Sequence, residues 1–209
     1  VVQARDDRTP FFIISLPRSG TAWLANFLTF GDAFCFHEGL FGCDSLDRYE
    51  EVLRGVDQSV VGNADTGAIY VLPALYKRYP GAKYVFIIRD LVDICASLQD
   101  VGLSPATVPA MSDYLWWGIA SVDGALTVKF DNLFNQITLR KIWKHVGMPE
   151  PFPSRRTEML RQMRIEDGIC SGFGRFSDPE LLKEGRVKFG ALMESVRNEQ
   201  ADPDERRLQ

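Results

Sequence analysis

The chain has 209 residues, 45% of them hydrophobic, enough for one domain with a sizeable core and short for two. A formal net charge of -4 argues against a general nucleic-acid binder while leaving room for a local basic pocket, and no run of 18 apolar residues is present to span a bilayer. The first residues, VVQARDDRTP, lack the apolar stretch of a secretory signal, so a cytoplasmic location is expected.

In chain order, Phe11 to Ser15 reads as a short buried strand, and Ala22 to Leu28 carries apolar residues at helical spacing. The turn between them is Leu16-Pro17-Arg18-Ser19-Gly20-Thr21. It combines a glycine that lets backbone approach a ligand, a cation, two hydroxyls and the N–H groups of a starting helix, the parts of an anion cradle. It is not a Walker A loop, because no Lys follows Gly20 and Ser15 or Leu16 stands where the first glycine belongs. Ala33 to Phe36 is a second strand candidate ending in His37-Glu38-Gly39, and Ser45 to Val56 a helix capped by Asp44 or Ser45. Ser59 to Gly62 reads as a third strand, followed by a helix from Gly67 to Tyr79 that Pro80-Gly81 ends. Lys83 to Ile88 is a near-continuous apolar run of the kind a central parallel strand shows, with Arg89-Asp90 at its carboxyl end. Helices are expected over Asp90 to Val101, Pro109 to Val122 and Asp131 to Val146, the last closed by Gly147, with a fifth strand over Ala125 to Phe130.

Repeated strand-helix alternation predicts an α/β fold: one domain over 1–209 with a central, mostly parallel sheet of about five strands flanked by helices. Its core falls at about 10–150, and 151–209 is a C-terminal helical or lid segment. Ligands bind such sheets beyond the carboxyl ends of the strands, and Arg18, Glu38, Asp65 and Arg89 all follow predicted strands, so one crevice should gather them. Ser97 lies eight residues after Arg89, which at roughly 100° per residue returns within about 80° of the same direction. A guanidinium and a hydroxyl so placed suit a phosphate monoester. The four cysteines, Cys35, Cys43, Cys95 and Cys170, show no C-x-x-C spacing, so reduced thiols are expected and no metal site.

Together these motifs resemble the sulfotransferases that use 3′-phosphoadenosine 5′-phosphosulfate (PAPS). The family's strand followed by P-[KR]-S-G-T-x-W-L is matched by Pro17-Arg18-Ser19-Gly20-Thr21-Ala22-Trp23-Leu24, and its second signature by Arg89, Asp93 and Ser97. Val128 to Leu133 is similar, more loosely, to a third strand end of the family. The resemblance implies a P-loop-like fold with a 5′-phosphosulfate-binding loop, made of backbone N–H groups from Pro17 to Trp23 with the Ser19 and Thr21 hydroxyls. It implies that Arg18 stabilises charge on the transferring group, that Trp23 stacks on adenine, and that Arg89 and Ser97 bind the 3′-phosphate. Core packing is the competing role for Trp23. The acceptor hydroxyl or amine needs a base, for which Glu38 is the first candidate and His37 and Asp65 the others. No metal is implied.

The chain departs from the family pattern in two places. Leu91 stands where Pro is frequent, and no C-terminal R-K-G triplet is present to complete the 3′-phosphate site; Arg175, in the glycine-rich stretch 168–175, is the candidate replacement. Two rival readings are a degenerate P-loop kinase or hydrolase with Asp90 as a magnesium ligand, and a non-catalytic nucleotide-binding domain of the same fold. The acceptor is expected to be a small molecule or glycan. Phe41, Tyr114, Trp116 and Trp117 are candidates to line its pocket, with core packing as the alternative.

Overall fold

The computed structural model describes residues 8–162 and 179–200. Five parallel strands form the sheet: β1 (Phe11–Ser15), β2 (Ala33–His37), β3 (Val60–Asp65), β4 (Lys83–Ile88) and β5 (Leu126–Lys129), in the order β2-β3-β1-β4-β5. Helices α1 (Thr21–Leu28), α2 (Leu46–Arg54), α3 (Ala68–Arg78), α4 (Leu91–Gln99), α5 (Val108–Ser121), α6 (Gln136–His145), α7 (Ser154–Gln162) and α8 (Pro179–Gln200) complete the described chain. Among them, no helix is long and apolar enough to cross a membrane.

The apolar runs in β1 and β4 follow from burial on both sheet faces, which the period of two divides between two cores. Phe12, Ile14, Tyr84 and Phe86 pack with α2, α3 and α5, and Leu192 and Val196 of α8 join the same cluster. Phe11, Ile13, Val85 and Ile87 face the other way, onto Leu24, Phe27 and Leu28 of α1 and Trp143 of α6. The C-terminal helix is therefore built into the first core. Because all strands run parallel, the segments after β1, β2, β3 and β4 open on one edge of the sheet.

Two elements differ from the sequence expectation. The third strand continues through Asn63 and Asp65, where a polar loop was expected, with Phe12 paired to Asn63 and Ile14 to Asp65. Those polar residues tolerate full burial because their side chains accept backbone N–H groups from neighbouring turns. The expected helix from Asp131 is split into a 3-10 turn, Phe130–Asn132, and α6, since the Asn135 side chain accepts the Ile137 N–H at 2.8 Å and caps a new helix start.

The register of β1 on β3 leaves no room at Gly62, where a Cβ would lie 2.2 Å from the Phe11 ring. Gly62→Ala should destabilise the protein by about 1–3 kcal/mol through overpacking. Combined with Phe11→Val, it should cost less than the sum of the two single changes, as read by urea denaturation. Strict additivity would show that the close contact is not what makes Gly62 necessary.

Candidate functional site

The strand ends open on a cleft of about 820 Å³ lined by Pro17, Arg18, Gly20, Thr21 and Ala22 from the first turn, by His37, Glu38, Asp65 and Thr66, and by Arg89 and Ser97. Four separate strand-helix junctions thus meet at one place, as the parallel topology requires.

At the first junction, Gly20 adopts φ 84° and stands so close to Leu133 that a Cβ would meet its Cδ2 at 2.7 Å. Only glycine satisfies both conditions. No side chain caps α1, so its leading N–H groups are available to an anion in the cleft. Both ends of α1 are fastened by α7: the Arg156 guanidinium donates to the carbonyls of Asn26 and Thr29 at 2.8 and 3.0 Å, and in the first turn the Trp23 indole N–H donates to Leu160 O at 3.2 Å. Trp23 is consequently a core residue. Its ring stacks on Phe27 and lies perpendicular to Phe134, and it is not among the cleft-lining side chains. Ser19 is also turned inward, fully buried with its hydroxyl directed at Pro17 O, whereas Thr21 lines the cleft.

The two arginines divide their contacts differently from the expectation. Arg18, exposed and in the left-handed region at φ 62°, donates from Nε to Ser97 Oγ at 3.1 Å. The Arg89 guanidinium lies 4.2 Å from the Phe130 ring centroid, donates to Arg18 O, and keeps a buried Nε without a partner. Arg89 thus holds the backbone of the turn while Arg18 reaches the hydroxyl that sequence spacing had paired with Arg89. Both cations and Ser97 still face one part of the cleft. Arg175 lies outside the described residues.

Across the cleft, Glu38 occupies the left-handed region at φ 56°, a conformation that costs a non-glycine residue about 1–3 kcal/mol and marks positions held by their surroundings. Its N–H donates to Ala64 O at 2.9 Å, extending the β2–β3 ladder by one residue, and its carbonyl accepts from Phe41 N–H at 3.1 Å. The carboxylate accepts the Thr66 N–H and hydroxyl at 3.1 and 3.0 Å. Burial pushes the Glu38 carboxyl well above the ordinary value of 4.5, the neighbouring Asp65 charge adds to the rise, and the Thr66 hydrogen bonds partly oppose it. His37 Nε2 stands 3.8 Å from Glu38 Oε1 and 3.3 Å from Thr21 Oγ1, linking the Glu38 side of the cleft to the start of α1.

Asp65, 1% exposed, is committed elsewhere. Its Oδ2 accepts the Leu40 N–H at 2.9 Å and the Asn63 amide at 3.0 Å, and its Oδ1 accepts the Ala68 N–H at 3.1 Å. Its bonds tie the turn after β2 to the start of α3. Sequence reasoning missed Thr66, Phe130 and Arg186, all lining the cleft; Thr66 is signalled only by its place after a buried strand end. Of the aromatic candidates Phe41 lines the cleft, whereas Trp116 and Trp117 are 53% and 47% exposed and Tyr114 packs against Tyr70.

The five-stranded parallel sheet flanked by helices is the P-loop-like α/β fold of the sulfotransferases. Three solved structures share it at 15% sequence identity. A sulfotransferase from Alicyclobacillus acidocaldarius aligns over 91% of this chain and 99% of its own with TM-score 0.50. A mouse sulfotransferase complexed with PAP aligns over 96% and 80% with TM-score 0.53, and a sulfotransferase domain from the curacin biosynthetic pathway over 90% of each chain with TM-score 0.55. No protein-family model and no curated protein sequence matches the chain.

The raised Glu38 pKa has a stability consequence with a definite sign. A carboxyl whose folded-state pKa exceeds its unfolded value contributes stability that is fully present below about 4.5 and is lost as pH rises through the folded-state value. Glu38→Gln cannot ionise, so it should be more stable than the wild type above that window and show a flatter stability profile across it. Denaturant titrations from pH 4.5 upward check this; an unchanged slope would mean other groups carry the pH dependence.

Proposed function

We propose that this chain transfers a sulfuryl group from 3′-phosphoadenosine 5′-phosphosulfate to a hydroxyl or amine of a small-molecule or glycan acceptor. The observation that carries the reading is the pairing of an uncapped helix N-terminus flanked by Arg18, Arg89 and Ser97 with a desolvated carboxylate, Glu38, across one cleft. The fold is that of sulfotransferases, and one structural neighbour is complexed with PAP.

The residues present fit such a donor. The N–H groups at the start of α1 and the Thr21 hydroxyl suit a 5′-anion, and the unpartnered Nε of Arg89, with Arg18 and Ser97, suits a second anionic group. When bound, the nucleotide supplies an activated sulfuryl group. Arg18 and the helix N-terminus oppose the negative charge that grows on the departing oxygen. Glu38 takes the acceptor proton: its raised pKa makes its carboxylate a stronger base than an ordinary one, and Thr66 fixes its orientation. Asp65 acts through position, holding the turn that carries Glu38.

Two measurements test this reading. Adenosine 3′,5′-bisphosphate should raise the thermal midpoint more than AMP does, and Arg89→Ala should remove the difference; equal shifts in the wild type would leave no basis for a 3′-phosphate site. With labelled PAPS and a panel of acceptors, Glu38→Gln should lower turnover by about a hundredfold or more while leaving bisphosphate binding nearly unchanged. Near-normal turnover in Glu38→Gln alongside a collapse in His37→Ala would move the base to the histidine.

A further inference from the structure

The cleft has a second part that the donor-side residues do not reach. Leu182, Arg186 and Phe189 lie at i, i+4 and i+7 on α8, a spacing that puts them on one face, and all three line the cleft. Their position in the sheet is fixed by two close approaches. Gly185 lies against Phe41, where a Cβ would come within 2.0 Å of the ring, and Gly67 lies against Phe189, where a Cβ would meet Cζ at 2.8 Å. The Phe41 and Phe189 rings are themselves stacked, 6.4 Å apart. Phe41 follows β2 and Gly67 follows β3, so α8 walls the side of the cleft that carries Glu38. Arg89 and Ser97 follow β4, on the other side of β1.

The walls of this lobe are apolar, formed by Phe41, Tyr70, Met111, Leu182 and Phe189. Its cation is Arg186, which among the described residues has no hydrogen-bond or ion-pair partner, although Lys188 on the same helix pairs with Glu184 at 2.5 Å. The two carboxylates on this side do not need the guanidinium, because Thr66 holds Glu38 and backbone N–H groups hold Asp65. A planar guanidinium at the end of an apolar lobe recognises a carboxylate or sulfate through paired N–H donors.

We propose that this lobe binds an acceptor alcohol with an apolar body and an acidic group, and that Arg186 is the counter-ion of that group; the proposal rests on the sulfuryl-transfer reading above. The hydroxyl end faces Glu38 and the acidic end faces α8. Arg186 is thereby a specificity residue, acting on acceptor choice and not on the donor.

The test uses matched acceptors that differ in charge alone: para-hydroxyphenylacetate against para-hydroxyphenylacetamide, and ω-hydroxydodecanoate against its methyl ester. In the wild type kcat/KM, or binding to the PAP-loaded protein where turnover is too slow to read, should favour the acid of at least one pair by about tenfold or more. Arg186→Gln should erase that preference and Arg186→Glu should reverse it, both with PAP affinity unchanged by calorimetry. Equal treatment of acid and neutral partner in both pairs, or binding of none of the four, overturns the proposal while leaving sulfuryl transfer standing. A fall in PAP affinity in Arg186→Gln overturns it by making Arg186 a donor contact, and failure of the wild type to bind PAP removes the underlying function as well.

Discussion

The buried Asp65 carboxylate is the interaction on which the cleft depends. Its oxygens accept from the turn after β2 through Leu40, from its own strand through Asn63, and from the first turn of α3 through Ala68. Hydrogen bonds to a charged group contribute about 1.5–3 kcal/mol each, and a buried carboxylate without them would be costly. The effect is to lock two adjacent strand ends in mutual register, which places Glu38 in its left-handed conformation and brings Thr66 against its carboxylate. Burial, and then the Asp65 charge beside it, raise the proton affinity of Glu38. One carboxylate therefore shapes the backbone, while the other is oriented by Thr66.

Much of the scaffold was legible in the chain. β1 and β4 announce themselves as apolar runs because both of their faces are covered, and the carboxyl-end rule was enough to bring Arg18, Glu38, Asp65, Arg89 and Ser97 to one cleft. What stayed hidden depends on contacts distant in sequence. Asn63 and Asp65 look like loop residues until their partners at Gly39, Leu40 and Ala68 are in place. Trp23 matches a binding motif, yet the carbonyl that takes its N–H lies 137 residues away. Helical spacing paired Arg89 with Ser97, and both line the cleft, but it could not foresee that Arg18, in a positive-φ conformation, would take the serine hydroxyl.

The cleft is electrostatically asymmetric across β1. Arginines and a helix N-terminus stand beyond β1 and β4, while carboxylates and an apolar wall stand beyond β2 and β3. Negative charge is favoured on the first side and disfavoured on the second. His37, within reach of both Thr21 and Glu38, sits at the border.

The two halves of the cleft also leave the ribosome at different times. Arg18, Thr21, Arg89 and Ser97 all precede position 100, and strands β1 to β4 with α1 are complete by Ile88, so this side of the cleft can begin to assemble on the nascent chain. The opposite wall comes with α8, whose Leu192 and Val196 fill the core beside Phe12 and Ile14. Until that helix docks, the cluster lacks two fully packed side chains and Phe41 lacks its neighbour at Gly185. The side of the cleft formed by the turn after β1 thus emerges well before the wall that α8 supplies.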